Sequence, residues 1–263
     1  MDLSVLNRAH KWADSANHPN PHALRQAGYV GIFLYGGTDS PKNATPDYYA
    51  ECRAAGLQTA WWYEHTGQDF ASGENGGHTH ALALLAHMTV CRAGIHEPAG
   101  AAVDTHLSAA NIDQAVAYQR GFWRAMHLHP TVAYGFAEFI AAVMSAGVAE
   151  VFVQAGSSHL VLNDIHFWQD NRSQPVVGGS QIDIDWQLLP LPQPPPTEVD
   201  MQTTDPIPQN PKAGTIGEVF RDWQVGQAGV VTAGRLVDIL DEIASGINAI
   251  SSKLDQVLNR ASS

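Results

Sequence analysis

The sequence places isolated carboxylates beside aromatic residues, and this pairing could do chemistry. Acidic side chains directly follow, or lie within, short apolar runs at Asp14, Glu64, Asp104, Asp170, Asp183 and Asp185. Aromatic faces stack on sugar rings, and two carboxyl groups can supply an acid and a base, or an acid and a nucleophile, to a glycosidic bond. The pattern therefore indicates carbohydrate chemistry. The alternative is that these aspartates cap the helices that follow them.

The candidate residues fall into two groups. The predicted catalytic residues are Asp14, Glu64, Asp104 and Asp183. Asp104 is favoured among them because Ser108, and not Asp104, is placed to cap the next helix. The predicted substrate-binding residues are Trp62, Tyr63 and Trp168 as sugar platforms, together with His106, Gln169 and Asp185.

Metal chemistry has weaker support in the sequence. The chain has 13 histidines, and pairs with one residue between them occur at His78 and His80 and at His127 and His129. Such a pair needs a third ligand to hold zinc, and neither an HExxH motif nor a Cys pair accompanies it. We therefore predict no metal and no cofactor.

The elements that must position these residues alternate between strand and helix. Apolar, β-branched or aromatic runs predict strands at 29–35, 58–63, 100–104, 131–134, 150–154 and 165–168. Helices are predicted at 46–55, with Thr45 and Pro46 as its cap and first residue, and at 77–92, 109–127 and 137–146.

Repeated βα units predict an α/β fold with a mainly parallel sheet. Seven or eight of them over residues 1–187 would close a TIM-like (β/α) barrel, whose active site lies at the carboxyl ends of the strands. The segment Gly73 to His80 is then predicted as a loop over the mouth of this barrel, either a substrate-contacting lip or a solvated entry to a helix. A doubly wound sheet is the competing architecture, but no GxGxxG or P-loop motif supports it.

A different kind of sequence follows residue 187. Residues 188–214 contain eight of the chain's 15 prolines and predict a semi-rigid linker. Residues 215–263 predict a helical segment for oligomerisation or docking. Its apolar residues repeat every three or four positions at Leu236, Leu240, Ile243, Ile247, Ile250, Leu254 and Val257. This seam predicts a homo-oligomer, a trimer or tetramer, through residues 236–258, and a helix packed back on the barrel is the alternative.

Composition excludes several classes of protein. The chain has 263 residues, with 26 acidic and 14 basic side chains and a net charge of -12. Phosphate backbones would repel it, so nucleic-acid binding by charge is excluded. No uninterrupted apolar run is long enough to span a membrane, no signal peptide is recognisable, and two cysteines cannot form a disulfide framework.

Four segments together resemble a known family. They are Trp12-Ala13-Asp14 followed by Leu24 to Tyr29, then Ala54 to Leu57 with the strand that leads to Glu64, then Ala102-Val103-Asp104, and finally Phe167-Trp168-Gln169 with Gly178-Gly179 and Ile182 to Asp185. In their order and spacing they resemble the glycoside-hydrolase-like domain of unknown function 1906, which is related to the lysozyme-type family 25 muramidases. The resemblance covers about two-thirds of the chain.

The resemblance implies a TIM-like barrel with a carbohydrate-facing cleft, in a domain found in actinobacteria and their phages. In active family 25 muramidases the central strand ends in Asp-x-Glu, with the Glu as proton donor, whereas here the triplet is Asp104-Thr105-His106. Glu64 could substitute as the acid, with Asp104 or Asp183 as base or nucleophile.

The spacer and heptads resemble phage virion proteins. The predicted function is therefore a phage virion-associated, tail-type protein that binds or cleaves bacterial cell-wall glycan beside other virion proteins. We expect it in the virion tail, or in the host cytoplasm before assembly. Two alternatives remain: an inactive structural virion protein that uses the barrel as a scaffold, and a free endolysin or muramidase.

Overall fold

Eight strands close into a barrel in the computed structural model, which describes residues 10–126, 128–156 and 161–192. The barrel strands are β1 (His10–Asp14), β2 (Tyr29–Tyr35), β3 (Gln58–Tyr63), β4 (Ala99–Val103), β5 (Thr131–Gly135), β6 (Val151–Gln154), β7 (Phe167–Asp170) and β10 (Asp183–Gln187). Strands β1 to β7 run parallel, and β10 closes the barrel between β7 and β1, antiparallel to both. The short strands β8 (Val176–Val177) and β9 (Ser180–Gln181) form a separate hairpin. Closure confirms the barrel and rules out the doubly wound sheet.

Five helices connect the first six strands. They are α1 (Pro21–Gln26), α2 (Pro46–Ala54), α3 (Gly73–Cys91), α4 (Ala109–Ala125) and α5 (Ala137–Ala146). The described residues therefore contain five βα units, fewer than the seven or eight considered from the sequence. Two barrel strands, β7 and β10, follow β6, and the described residues after β6 contain no further α-helix. The β8–β9 hairpin lies between β7 and β10 in the sequence.

Local sequence explains the start of α2 better than that of α4. The hydroxyl of Thr45 accepts a hydrogen bond from the backbone N–H of Tyr48 at 3.1 Å, and Pro46 occupies the first helical turn, as predicted. Ser108 also stands at the cap position of its helix, but its side chain makes no capping hydrogen bond.

The prediction of a loop over residues 73–80 was wrong, because these residues form the first turns of α3. Its glycines allow helices α3 and α4 to approach each other closely. A Cβ atom on Gly77 would lie 2.0 Å from the carbonyl oxygen of Tyr118, and one on Gly121 would lie 2.1 Å from that of Glu74. No side chain fits between the two backbones, so these glycines serve packing rather than a turn.

The inside of the barrel is filled with aromatic side chains. Phe33 stacks on Trp62 with ring centroids 4.2 Å apart, and Trp12 and Phe167 pack around Phe33. Because side chains alternate along a strand, the next inward positions towards the strand ends lie above this layer. The aromatic layer therefore forms a solid floor beneath the mouth of the barrel.

Several predictions fall outside the described residues. These are the oligomerisation segment 215–263 with its seam at 236–258, the linker beyond residue 192, and His127. Among the described helices, none combines the length and apolar character needed to span a membrane.

Candidate active site

The four predicted catalytic carboxylates come together at the mouth of the barrel. Asp14 ends β1, while Glu64 and Asp104 directly follow β3 and β4. Asp183 pairs in register with Asp14 across the β1–β10 junction. The charges of Asp183, Glu64 and Asp104 all raise the pKa of Asp14, so the four groups form one electrostatic cluster.

Strand direction explains why Asp183 belongs to this cluster. Strands β1, β3 and β4 are parallel, so their carboxyl ends meet at one rim. Strand β10 is antiparallel, and its first residue, Asp183, therefore reaches the rim where the other strands end. The sequence predicts the acidic residues at the ends of strands, whereas Asp183 is the first residue of its strand.

Asp14 is a buried carboxyl that keeps its proton to unusually high pH. Burial is the main reason that its pKa is raised to about 7, and the neighbouring carboxylates add to this effect. The Tyr35 hydroxyl donates a hydrogen bond to Oδ1 at 2.8 Å, which opposes the rise. The amide of Gln169 donates to Oδ2 at 3.3 Å. Asp14 therefore keeps its proton to a higher pH than an ordinary aspartate does.

Asp104 is the open member of the cluster and is linked to Asp14 by hydrogen bonds. Asp104 is exposed to solvent. Partial desolvation of its carboxyl group, followed by the charge of Glu64, raises the pKa of Asp104 above the usual value. The hydroxyl of Tyr134 lies 3.4 Å from Asp104 Oδ1 and 2.8 Å from Gln169 Oε1. Gln169 in turn contacts Asp14, so a continuous polar chain joins the buried carboxyl to the open one.

Lys42 supplies a positive charge to this acidic site. Its ammonium group lies 2.9 Å from Glu64 Oε2 and 4.6 Å from the ring centroid of Tyr35. It also lowers the pKa of Asp104, against the larger effects that raise it. Lys42 therefore partly offsets the mutual repulsion of the carboxylates.

Asp185 and Gln169, predicted to bind substrate, lie inside the barrel. Asp185 is fully buried, and neither of its carboxyl oxygens has ordinary hydrogen-bond geometry to a donor in the described residues. Burial, followed by the charges of Asp14 and Asp183, raises its pKa well above the usual value. Gln169 is also buried. Both residues can act on the mouth only through Asp14 and its neighbours.

The three predicted sugar platforms are not exposed at the mouth. Trp62 is 1% exposed inside the barrel, between Phe33 and Tyr134. Tyr63 points the other way, towards the helices, where His80 stacks on it at 4.4 Å. Trp168 is 2% exposed, and its indole N–H donates to the carbonyl of Gly156 at 3.2 Å. Because their faces are covered, this arrangement argues against their predicted role.

His106 does lie on the exposed rim. Its side chain is 76% exposed, and its Nδ1 is 3.0 Å from Glu138 Oε1 in the first turn of α5. Partial burial raises the pKa of Glu138, but hydrogen bonds from its own backbone N–H, His106 and Leu107 outweigh this and lower it overall. Glu138 is therefore an ionised acceptor and not a proton donor.

Sequence reasoning missed four residues that shape the site: Tyr35, Lys42, Tyr134 and Glu138. The alternation of side chains along a strand could have indicated the two tyrosines. Tyr35 lies two positions after Phe33, and Tyr134 lies two positions after Val132, and both earlier residues point into the barrel. Lys42 lies in a loop and Glu138 in a helix, and no periodic pattern marks either one. Within the described ranges, no group of three or more His, Cys, Asp or Glu side chains could hold a metal ion.

Comparison with known proteins supports the barrel and its class. The model of the Rv2525c-like, glycoside hydrolase-like domain matches residues 22–187. This match includes Glu64, Asp104 and Asp183, and it begins after Asp14. A search of curated proteins found no match.

Solved structures share the fold at low sequence identity. The Tat-secreted protein Rv2525c of Mycobacterium tuberculosis, crystallised with L-tartrate, is 20% identical with a TM-score of 0.63, over 69% of this chain and 97% of that one. A bacterial lysozyme from Streptomyces coelicolor is 16% identical with a TM-score of 0.51, over 67% and 91%. The modular autolysin LytC of Streptococcus pneumoniae, in complex with a synthetic peptidoglycan ligand, is 12% identical with a TM-score of 0.51, over 68% and 46%.

Proposed function

Because the chain belongs to the Rv2525c-like, glycoside hydrolase-like domain family, we propose that its barrel binds and cleaves a bacterial cell-wall glycan. One observation carries the proposal: a buried carboxyl with a pKa of about 7, Asp14, is linked at the barrel mouth to an open carboxyl, Asp104. The shared fold with a lysozyme and with an autolysin that binds a peptidoglycan ligand supports this class of substrate.

The two carboxyls suit the two halves of glycoside hydrolysis. In this mechanism, Asp14 gives its proton to the oxygen of the departing sugar as the glycosidic bond breaks. Asp104, exposed to the cleft, either removes a proton from the attacking water or bonds to the anomeric carbon before water releases the sugar. Tyr35 and Gln169 orient Asp14, and Glu64 and Asp183 keep its proton affinity high through their charges.

The full chain is expected to release new reducing ends from purified peptidoglycan. The rate should fall as the pH rises through about 7, because Asp14 then loses the proton that it must donate. A colorimetric reducing-end assay from pH 4 to 9 measures this. If the rate instead continues to rise up to pH 9, Asp14 is not the donor.

Glycan binding without cleavage is the second candidate function. The observation that favours it is His106, which stands where the resemblance to family 25 muramidases places a glutamate. A chain that sediments with insoluble peptidoglycan but releases no reducing ends at any pH would support this function. It would also fit a structural protein that uses the barrel as a scaffold.

We also propose that the chain is an oligomeric, virion-associated phage protein, in the tail or, before assembly, in the host cytoplasm. Support comes only from the sequence, through the Pro-rich linker and the apolar repeat at 236–258. Light scattering should give a trimer or tetramer for the full chain and a monomer for a chain that ends at Leu189. Mass spectrometry should find the chain in purified particles, and its absence from them would favour a free endolysin.

A further inference from the structure

We propose that two fixed imidazole rings, those of His18 and His106, form sugar-binding subsites on different sides of the carboxylate cluster. The site would then take an extended glycan chain whose sugars lie on both sides of the cleavage point. This inference rests on the proposed function. The two histidines would take the sugar-binding role that was predicted for the buried residues Trp62, Tyr63 and Trp168.

His106 presents one free ring face at the mouth. Its other face stacks on Phe136, with ring centroids 3.7 Å apart and planes 24° apart. Its Nδ1 donates to the carboxylate of Glu138 at 3.0 Å, and the backbone N–H of Leu107 holds the same oxygen at 3.1 Å. The ring is therefore fixed in orientation although its side chain is 76% exposed.

His18 repeats this arrangement in the loop after β1. Its ring stacks on Tyr48, with centroids 4.5 Å apart and planes 26° apart. Its Nε2 donates to the carbonyl oxygen of Lys42 at 3.3 Å, and the Tyr48 hydroxyl donates to the carbonyl of Pro19 at 2.8 Å. His18 is also exposed, so again one ring face is supported by the protein and the other is open to a ligand.

The two rings flank the carboxylates. His18 lies between β1 and β2, and His106 and Phe136 lie after β4 and β5, three strand positions further around the eight-stranded barrel. Each is linked to the cluster through one other residue. The Lys42 that holds His18 also binds Glu64, and His106 follows Asp104 by two residues. A chain that crosses the carboxylates between these sides would meet a ring on each.

Packing does not explain why these exposed rings are fixed. Holding an exposed side chain in one rotamer opposes its conformational entropy, and the open faces contribute no buried area to the fold. A pre-oriented flat face does lower the entropy lost when a ligand binds. The rings offer to sugars the kind of surface that Trp62, Tyr63 and Trp168 cannot offer from their buried positions.

Chain-length dependence of binding tests this inference. The probes are peptidoglycan glycan strands freed of peptide and separated by length, titrated calorimetrically into the full chain carrying Asp104→Asn to prevent turnover. Affinity should rise with strand length. His18→Ala and His106→Ala should each weaken binding of long strands by about 3- to 10-fold, since one ring contact corresponds to about 1 kcal/mol. His106→Phe, which retains a ring, should stay within about 2-fold.

The control is His96→Ala, an exposed histidine in the loop that enters β4, at the opposite end of the barrel. This variant should bind glycan strands with the same affinity as the Asp104→Asn chain whose histidines are all intact. If strands bind but His18→Ala and His106→Ala match this control, or if affinity does not depend on length, the inference is wrong and the proposed function stands. If no glycan strand binds and the protein with an intact Asp104 releases no reducing ends from peptidoglycan, the proposed function fails as well. In the turnover assay, both alanine variants should raise KM and leave kcat unchanged.

Discussion

An Asp104→Asn chain is expected to release reducing ends from peptidoglycan at least about 100-fold more slowly than the parent, the usual effect of removing a general base or nucleophile. Asparagine keeps the shape of the side chain, and its carbonyl oxygen can still accept the hydrogen bond from Tyr134. The substitution removes the charge and the basicity that either mechanism needs. The reducing-end assay at pH 6, with kcat and KM determined separately, measures the loss.

The loss should not come from unfolding. The folded protein already raises the pKa of Asp104, so a neutral amide relieves repulsion in the acidic cluster. Asp113→Asn is the matched control, because Asp113 is exposed on α4 and lies outside the cluster. If Asp104→Asn and Asp113→Asn both keep the parent's rate, Asp104 takes no part in the chemistry.

The sequence was sufficient to predict the carboxylate cluster because parallel strands impose it. Asp14, Glu64 and Asp104 each stand where a strand ends, and these ends must share one rim. Asp183 reaches the same rim by a different route, because it begins the single antiparallel strand of the barrel. Sequence periodicity does not encode the direction of a closing strand, so this feature needed the structure.

The aromatic platforms could not be predicted because both faces of a barrel strand are buried. In the run Trp61-Trp62-Tyr63, the middle residue points into the barrel and its neighbours point to the helices. All three are largely apolar, so the sequence shows no alternation of apolar and polar residues that would tell which of them points into the barrel. His18 and His106, in contrast, lie in loops whose ring partners, Tyr48 and Phe136, are distant in the sequence. Only the folded chain brings each pair together.

Glycine misled the prediction at residues 73–80 for a similar reason. Glycine usually signals a turn, but the same residue allows two helices to touch, and the partner Gly121 is 44 positions beyond Gly77. A local window cannot see that contact. The prediction therefore starts the helix four residues too late and assigns its first turns to a loop.

Asp14→Asn is expected to gain stability relative to the parent as the pH rises. In the unfolded chain Asp14 titrates near its usual value of 3.8, whereas in the folded protein its pKa is about 7. Between these values the folded protein holds a proton that the unfolded chain has lost. The stabilising effect of that proton is fully present below about pH 4 and is lost as the pH rises through about 7. The shift corresponds to about 4 kcal/mol, taking about 1.4 kcal/mol per pKa unit.

Urea denaturation of both chains at pH 4 and pH 8 measures this effect. The free energy of unfolding of Asp14→Asn minus that of the parent should increase by up to about 4 kcal/mol between the two pH values. This comparison cancels any constant change in the contacts with Tyr35 and Gln169, and Asp113→Asn serves as the exposed control. If the difference is the same at both pH values, Asp14 has no raised pKa and cannot be the proton donor. If it increases as expected while catalysis is lost, the chain sacrifices stability at neutral pH to keep a proton at the mouth of its barrel.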